Sequence, residues 1–325
     1  MTLVTLRATT VAAGLPRRAL KQTLPLAGLL LLAGCPGPAL RPYPPPQVAD
    51  VLGQLRSSHS MLLSMRARAK ADYLDDQAGR VKVDVSLLLG RPDQLRLAAE
   101  NSLTGPLVTL ATDGKDYQLL DVQRNRFSRG TVSPCSMAQL IRVALHPSEA
   151  VEVLMGGVPL LHGAQVKAEL VWATRSGGRE VLTLRDDSGQ SQELSLQASG
   201  SGWDVREAEG RSSSGQVLWR VRHEDFTNVP LKGEASGAVE TLGTRTVRLP
   251  QVTYIEDPAH KADVRLRWRE RELNPTLEPA LFHLEQPSGI PLEADVCSGL
   301  STGSSAETAP IRDNPIPTPA SPPAP

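Results

Sequence analysis

The sequence predicts an α+β fold in which an open antiparallel half-barrel of about eleven strands is covered by a helical lid. Apolar residues alternate with polar ones along most of residues 65–268, which is the period of a half-buried strand. Turn signals recur about every ten residues, as in an antiparallel meander. One central stretch, residues 133–155, instead carries apolar residues at helical spacing, which predicts the lid.

Residues 1–34 are typical of a secretory signal peptide. A basic lead comes first, and no acidic residue occurs before Cys35. The apolar run from Leu24 to Leu32 is too short to span a bilayer, which requires about 20 residues. A basic lead, a short apolar core and small residues at the end are the features of a segment that is removed during secretion.

The end of this segment, Leu32-Ala33-Gly34-Cys35, resembles the bacterial lipobox, in which the Cys thiol is diacylated and the Cys becomes the new N-terminus. The alternative is an ordinary signal peptide that contains a cysteine. Pro36 follows the Cys, whereas an Asp there retains lipoproteins in the inner membrane. We therefore expect acyl groups such as palmitate to anchor the chain to the periplasmic face of the outer membrane.

Proline-rich segments flank the predicted half-barrel domain of residues 48–295. Residues 35–47 contain the lipidated Cys and the sequence PGPALRPYPPPQ, which favours extended polyproline geometry and predicts a semi-rigid tether. Residues 296–325 are rich in Ser, Pro and Ala, which predicts a disordered tail.

The domain begins with a helix and continues as a meander. Apolar residues between Val48 and Met65 approximate helical spacing. The period then changes to two through residues 81–89, 95–99 and 107–111. Asp113-Gly114 marks a hairpin turn, and further strands follow it.

Two short helices interrupt the meander. Ser133-Pro134 combines an N-cap with a proline suited to the first turn, and an apolar stripe at helical spacing follows. Pro147 ends the first helix and starts a second, which Gly156-Gly157 ends. These helices are the predicted lid.

Strands resume at residue 166 and continue to residue 268. The last of them carries a row of arginines opposite its apolar residues. A solvated strand face is the simpler interpretation of this row, and a site for lipid phosphate or a partner is the alternative. The row consists of Arg265, Arg267, Arg269 and Arg271.

Composition excludes some classes of function. Lys+Arg and Asp+Glu both number 35, so the chain lacks the basic excess that nucleic-acid binding requires. There is no Gly-x-Ser-x-Gly, His-Glu-x-x-His or Cys-x-x-Cys motif and no glycine-rich phosphate loop before a helix. We therefore expect no nucleic acid, no metal, no cofactor and no catalytic site.

Two cysteines, Cys135 and Cys297, remain once Cys35 is acylated. In an oxidising compartment they are a candidate disulfide. The alternative is two independent buried thiols.

A sheet of this length must curl, and its apolar concave face must be covered. If the sheet curls around a few helices, it encloses a hollow lined by aliphatic and Trp side chains, which suits a hydrophobic ligand such as an acyl chain. The residues expected to line it are Val83, Val85, Leu87, Leu95, Leu97, Leu194, Leu196, Trp219 and Trp268.

Several motifs together resemble a known family. The run LRLAAENSLTGP at residues 95–106 is similar to the outer-membrane lipoprotein acceptors called LolB, in which a strand ends in Asn-Pro-Leu-Gly before the next strand. The likeness continues through the hairpin, the helix pair and Gly156-Gly157. Leu273-Asn274-Pro275 and the sequence FHLEQPSG at residues 282–289 resemble the end of the related periplasmic carrier LolA. The resemblance covers roughly residues 48–293.

The resemblance implies an open eleven-stranded half-barrel, a helical lid, a cavity for the acyl chains of lipoproteins, a periplasmic carrier protein as partner, and no catalysis. In LolB the Leu of the turn protrudes and helps to deliver cargo into the membrane. Leu103 is the matching position here, although Ser102 replaces the Pro and Thr104 precedes Gly105. The alternative is that Leu103 packs at the sheet edge.

The function expected from these features is acyl-chain binding by a membrane-anchored lipoprotein, in lipoprotein localisation to the outer membrane. One alternative is a non-catalytic scaffolding lipoprotein that binds a protein partner. Another is an enzyme that modifies lipid or cell wall with a site assembled from distant residues.

Overall fold

The computed structural model describes residues 39–75, 79–101, 105–163, 165–174, 177–200, 202–231, 245–294 and 297. Cys35, the lipobox residues Leu32, Ala33 and Gly34, the delivery residue Leu103 and most of the predicted tail lie outside the described residues. The predictions made for them remain predictions.

Most of the described chain is strand. Alternating burial along the strands, as in residues 80–88, places apolar side chains on one face and polar side chains on the other. The strands are β1 (Ser64–Asp75), β2 (Gly79–Gly90), β3 (Gln94–Asn101), β4 (Gly105–Thr112), β5 (Asp116–Asp121), β6 (Arg126–Thr131), β7 (Lys167–Ala173), β8 (Arg179–Arg185), β9 (Ser191–Ser199), β10 (Gly202–Arg211), β11 (Val217–Glu224), β12 (Thr227–Pro230), β13 (Thr246–Leu249), β14 (Val252–Asp257), β15 (Ala262–Leu273) and β16 (Leu292–Glu293).

Fourteen of these strands form one open sheet in the order β16-β6-β5-β4-β3-β2-β1-β15-β14-β11-β10-β9-β8-β7, and β12 pairs with β13 in a second sheet. The neighbours pair antiparallel except β16 with β6, which are parallel. The prediction of a large open antiparallel sheet is therefore confirmed.

The predicted count of about eleven strands is wrong. One reason is β1, whose inward positions are largely alanine, a residue depleted in strands. Another is β16, which contributes only two residues. β1 does alternate apolar with charged residues from Met65 to Tyr73, but mostly through alanine, and β16 is too short to show a pattern.

The described residues also include three α-helices and a short 3-10 helix: α1 (Val48–Ser57), α2 (Pro134–Ile141), α3 (Pro147–Leu154) and the 3-10 helix Pro279–Phe282. The predicted helix pair is present as α2 and α3. The helix expected between Val48 and Met65 ends earlier, at Ser57. The Ser57 and Ser58 hydroxyls there donate hydrogen bonds to backbone carbonyls three residues before them, in a last turn that leads out of the helix.

The helix starts follow their capping residues. The Ser133 hydroxyl accepts a hydrogen bond from the Ser136 backbone N–H at 3.2 Å, and the Ser133 N–H donates to the Ser136 hydroxyl at 2.8 Å. At α3, Pro147 occupies the first turn and the Glu149 carboxylate accepts from the His146 N–H at 2.8 Å. Arg142 ends α2 with a φ of 63°, in the left-handed region.

One apolar core joins the helices to the sheet. Val51 of α1, Met137 of α2 and Val153 of α3 are fully buried in the same cluster as inward residues from β1–β5 and from β8–β11. Because both halves of the sheet contact this cluster, the sheet curves around the helices.

The predicted arginine row is interrupted. Arg267 and Arg269 are exposed, as expected. A register shift at Arg68/Ala69 opposite Trp268 and Glu270 then places Arg271 beside buried Ala67. The Arg271 Nη1 donates to the Pro250 carbonyl at 2.7 Å, and burial lowers the pKa of Arg271 to about 10.

Cys135 of α2 is bonded to Cys297 in a disulfide that spans 162 residues of sequence. The bond ties the start of the lid to the C-terminal end of the domain. Among the described residues, no helix has the length and apolarity needed to cross a membrane.

Candidate functional site

All nine side chains predicted to line the hollow are buried in the core of the concave face: Val83, Val85, Leu87, Leu95, Leu97, Leu194, Leu196, Trp219 and Trp268. These side chains alternate with outward-facing ones along β2, β3, β9, β11 and β15, so they all point inward, and their role as ligand contacts stays a prediction.

The expectation that these residues surround a wide hollow needs correction. Val83, Val85 and Leu97 border an apolar cavity of about 40 Å³, whereas the other six residues do not line it. The space is filled by α1, α2, α3 and the segment after α3, which bury side chains such as Val151 and Val158. The sequence pattern showed that these helices are amphipathic but not how much volume they occupy.

The remaining cavity lies between the lid and the inner face of β1, β2, β3, β14 and β15. Tyr73 and Arg142 are the lining side chains that carry a polar group at their tips. The volume of the cavity, about 40 Å³, is far below the roughly 300–1,000 Å³ of a typical ligand site. It is lined by Ala71, Tyr73, Val83, Val85, Leu97, Ala99, Ile255, Val264 and Leu266 of the sheet and by Ile141, Arg142, Leu145, Ala150 and Leu154 from α2, α3 and the segment between them.

Polar contacts fix the C-terminal end of α3 to the sheet. Arg91, after β2, places its Nη1 2.6 Å from the Glu152 carboxylate of α3, and its Nε donates to the Leu62 carbonyl at 2.9 Å. Gly156 has a φ of 89°, and a Cβ there would lie 2.8 Å from the Pro250 side chain. The close approach and the left-handed backbone both favour glycine at this turn.

His223 makes a second contact to this turn. Its Nε2 lies 2.9 Å from the Gly157 carbonyl oxygen and its Nδ1 lies 3.2 Å from the Thr253 hydroxyl, which accepts from the Trp268 indole N–H at 3.1 Å. The Thr253 hydroxyl therefore donates to Nδ1, and Nε2 carries the proton that is donated to Gly157. Burial lowers the pKa of His223 to about 4, so the ring is neutral at pH 7.

Sequence reasoning missed this histidine. A signal was nevertheless present, because Trp219, Val221 and His223 occupy successive inward positions of β11. A histidine at such a position must find buried partners, and the partners come from two other elements.

A wider groove of about 1,040 Å³ opens between the C-terminal ends of α1 and α3 and the β9–β10 hairpin. Phe226 lies beside two of its arginines, with the Arg206 and Arg248 guanidinium carbons 5.4 and 5.7 Å from the ring centre. Arg248 makes a bidentate contact with buried Asp204, at 2.8 and 2.9 Å. Since Arg56 and Arg91 also line the groove, its chemistry suits a polar or acidic group rather than an acyl chain.

The described part of the predicted tether lies against the concave face. The Trp172 indole N–H donates to the Ala39 carbonyl at 2.8 Å. Arg41 places its Nε 2.8 Å from the Glu180 carboxylate, and Tyr43 lies edge-on to Trp172 and Trp203. The prediction of a spacer that holds the domain away from the membrane is therefore corrected for residues 39–43.

Across the described ranges, no three His, Cys, Asp or Glu side chains are grouped as metal ligands would be. His260 and Asp257 contact each other at 2.7 Å, and the same carboxylate accepts from the His260 backbone N–H at 3.2 Å. This pair closes the turn between β14 and β15. The absence of catalysis stays a prediction.

No protein-family profile matches this chain, and no curated protein matches it. Among solved structures, it is similar to a LolA superfamily protein from Nitrosomonas europaea, with 13% identity, a TM-score of 0.46 and coverage of 74% of this chain and 99% of that one. It is also similar to a DUF1329 family protein from Desulfovibrio piger, with 9% identity, a TM-score of 0.49 and coverage of 72% and 95%. It is further similar to an outer membrane lipoprotein-sorting protein domain from Vibrio parahaemolyticus, with 10% identity, a TM-score of 0.46 and coverage of 72% of this chain and 94% of that one. At such low identities and TM-scores these likenesses carry no functional argument, so the function rests on the geometry of this chain.

Proposed function

We propose that this protein is a lipoprotein, anchored through an acylated Cys35 to the periplasmic face of the outer membrane, that binds acyl chains between its sheet and its lid. The observation that supports this proposal is the apolar cavity between the sheet and the two lid helices. Its apolar walls suit a hydrocarbon chain rather than a polar metabolite.

Binding requires the lid to move, because the cavity has room for about one water-sized group. Ile141, Leu145 and Leu154 leave the sheet when an acyl chain enters, and the chain takes over their apolar contacts. Each buried methylene contributes about 0.8 kcal/mol, so a chain of ordinary length offsets the loss of these contacts.

Two features of the lid favour its movement away from the sheet: its helices are short, and few polar contacts hold them. Helices α2 and α3 have eight residues each, and neither takes part in the hydrogen-bonded ladders of the sheet. The Arg91–Glu152 and His223–Gly157 contacts hold the C-terminal end of α3, whereas the opposite side of the lid is held chiefly by apolar packing and the disulfide. We infer that the lid moves about these contacts.

In this function a periplasmic carrier protein supplies the acyl cargo, and the acceptor releases it into the membrane. The resemblance assigns delivery to Leu103. The ends of β3 and β4 next to it lie at the end of the sheet opposite the β7–β8 hairpin, so delivery by Leu103 is an alternative to the membrane orientation inferred below. An apolar side chain at a loop tip can enter the bilayer and lower the barrier for transfer of the cargo.

The test uses a matched pair of substitutions on β1. Ala71 lines the cavity and is 5% exposed, whereas Lys70 points to solvent on the other face. Ala71→Leu fills the cavity and should weaken binding of a fluorescent fatty-acid analogue by about tenfold, since the leucine takes the space of about two methylenes of the ligand, each of which contributes about 0.8 kcal/mol. Lys70→Leu introduces the same side chain on the outer face and should leave affinity unchanged.

Thermal unfolding of both variants verifies that they are folded. Saturable binding to the unmodified protein that Ala71→Leu weakens and Lys70→Leu does not supports the proposal. Equal affinity in all three proteins would exclude the cavity as the site.

A second function, binding of a protein partner by a non-catalytic scaffold, is favoured by the 1,040 Å³ groove and by the packed interior. Its arginines and Phe226 suit an acidic segment of a partner. The same titration separates the two functions, because a scaffold should bind no fatty-acid analogue at all.

A further inference from the structure

Residues 39–43 are docked on the sheet beside the β7–β8 hairpin. The Ala39 carbonyl accepts the Trp172 indole N–H, and a Cβ built on Gly178, in the hairpin turn, would lie 3.0 Å from the Ala39 Cβ. The chain therefore enters the domain at the tip of this hairpin.

An ion pair also holds this segment. The Glu180 side chain of β8 is completely buried, and Arg41 approaches both of its oxygens, with Nε 2.8 Å from Oε1 and Nη2 donating to Oε2 at 3.1 Å. The Arg41 guanidinium also lies 5.4 Å from the centre of the Trp172 ring. A fully buried carboxylate requires a charged partner. Here that partner is Arg41, from the segment that precedes the domain.

Aromatic packing holds the segment at Tyr43, two residues after Arg41. The Tyr43 ring centre is 6.0 Å from that of Trp172 on β7 and 5.8 Å from that of Trp203 on β10, both in edge-to-face geometry. Because these contacts involve β7, β8 and β10, the segment is fixed to the body of the sheet rather than to one loop.

The length of chain before Ala39 limits where an anchor can lie. Cys35 precedes Ala39 by four residues, and each residue extends the chain by at most about 3.6 Å. Four residues of chain span at most about 14 Å, so acylation of Cys35 would keep residue 39 close to the bilayer surface.

We propose that the docked segment fixes the orientation of the domain on the membrane, with the β7–β8 hairpin facing the bilayer and Leu40 inserted in its interface. This inference rests on the acylation of Cys35 in the proposed function, and it adds which surface of the domain meets the lipid.

The exposure of Leu40 fits this orientation. Its side chain is 87% exposed, although both neighbours in sequence contact the sheet. An apolar side chain held next to a lipid anchor gains free energy from entering the bilayer interface, which gives its exposure a physical reason.

The test compares the two ends of β8 in the full lipidated chain, purified from membranes and reconstituted in vesicles of phosphatidylethanolamine and phosphatidylglycerol. Thr174→Cys places a label at the hairpin, and Ser188→Cys places one in the β8–β9 turn, seven strand residues or about 23 Å away. Both positions are exposed. Cys135 and Cys297 are disulfide-bonded, so a thiol-reactive fluorophore is directed to the introduced cysteine.

Quenching by lipids that carry a nitroxide in the headgroup reports the distance of each label from the bilayer. We expect strong quenching at position 174 and weak quenching at position 188. In an Arg41→Ala/Tyr43→Ala background the difference should shrink while the protein still floats with the vesicles. Arg66→Ala, which removes an exposed ion pair with Glu272 elsewhere on the sheet, should leave the difference intact.

Equal quenching at the two positions, in protein that floats with the vesicles, would overturn the fixed orientation while leaving the anchor in place. Protein that does not float would overturn the acylation and the orientation with it. Loss of fatty-acid binding with unequal quenching would reject the proposed ligand but retain the orientation.

Discussion

The His223 Nε2 on β11 lies 2.9 Å from the Gly157 carbonyl oxygen in the turn after α3, so a buried imidazole joins the sheet to the lid. The contact is made by a neutral ring, because burial lowers the pKa of His223 from 6.5 to about 4. It crosses 66 residues of sequence and contributes to holding the lid in the position described.

Stability should therefore fall on acidification. The unfolded imidazole binds a proton at higher pH than the folded one, so the contribution is complete above about pH 6.5 and is lost as the pH falls to about 4. The predicted loss is on the order of 3 kcal/mol in the free energy of unfolding, measured by urea denaturation at several pH values.

His223→Gln is the control for this prediction, because glutamine can donate to Gly157 without titrating. Its stability should vary less between pH 6.5 and 4. Some slope should remain, since desolvation also lowers the pKa of His59. An unchanged slope in the variant would assign the acid sensitivity to other groups.

Loss of the Arg91–Glu152 ion pair should loosen the lid. Both side chains are about one quarter exposed, and their atoms are 2.6 Å apart. Glu152→Gln should increase hydrogen exchange of the α3 amides with a loss of about 1 kcal/mol or less in global stability. Glu272→Gln removes the exposed pair with Arg66 on the sheet and should not change exchange in α3. Equal exchange of α3 in the two variants would show that the Arg91–Glu152 pair does not hold α3 against the sheet.

Arg41 and Glu180 should be energetically coupled. Arg41→Ala removes the charged partner of a fully buried carboxylate and should destabilise the domain by about 2–3 kcal/mol. Adding Glu180→Gln to that variant removes the unpaired charge and should restore part of the loss. A double-mutant cycle by urea denaturation measures the coupling, and additive effects would show that the pair does not hold the segment.

The N-cap of α2 should contribute measurably to stability. Ser133→Ala removes the acceptor for the Ser136 N–H and should cost about 1 kcal/mol. Ser195→Ala on the outer side of β9 removes a hydroxyl from a half-buried position, and its effect should stay within about 0.5 kcal/mol. A loss for Ser133→Ala as small as that of the control would mean that the cap is dispensable.

Features of the fold set by local chemistry were predictable from the sequence. The alternation in β2 and β3 identified the inward face, and Ser133-Pro134 and Pro147 located both lid helices. The strand count was less predictable, because the apolar positions of β1 alternate regularly but are mostly alanine, which is depleted in strands.

Features that depend on distant partners were not predictable. Arg41 and Glu180 are 139 residues apart, and neither the basic residue in a proline-rich segment nor the acidic residue in a strand indicates the other. Arg271 turns inward because of a one-residue register shift, which reverses the side of every later residue in β15. The filling of the concave face depends on how side chains from four segments pack together. Alternation shows which side chains point inward, but not how much of the space between sheet and helices they fill.

The central claim is that the space under the lid opens to hold an acyl chain. Native mass spectrometry of the folded domain, released from membranes and kept in its oxidised form, tests this most directly. We predict a population with bound lipid mass that falls sharply in Ala71→Leu and persists in Lys70→Leu. Protein free of lipid in every preparation, including after incubation with fatty acids, would contradict the claim.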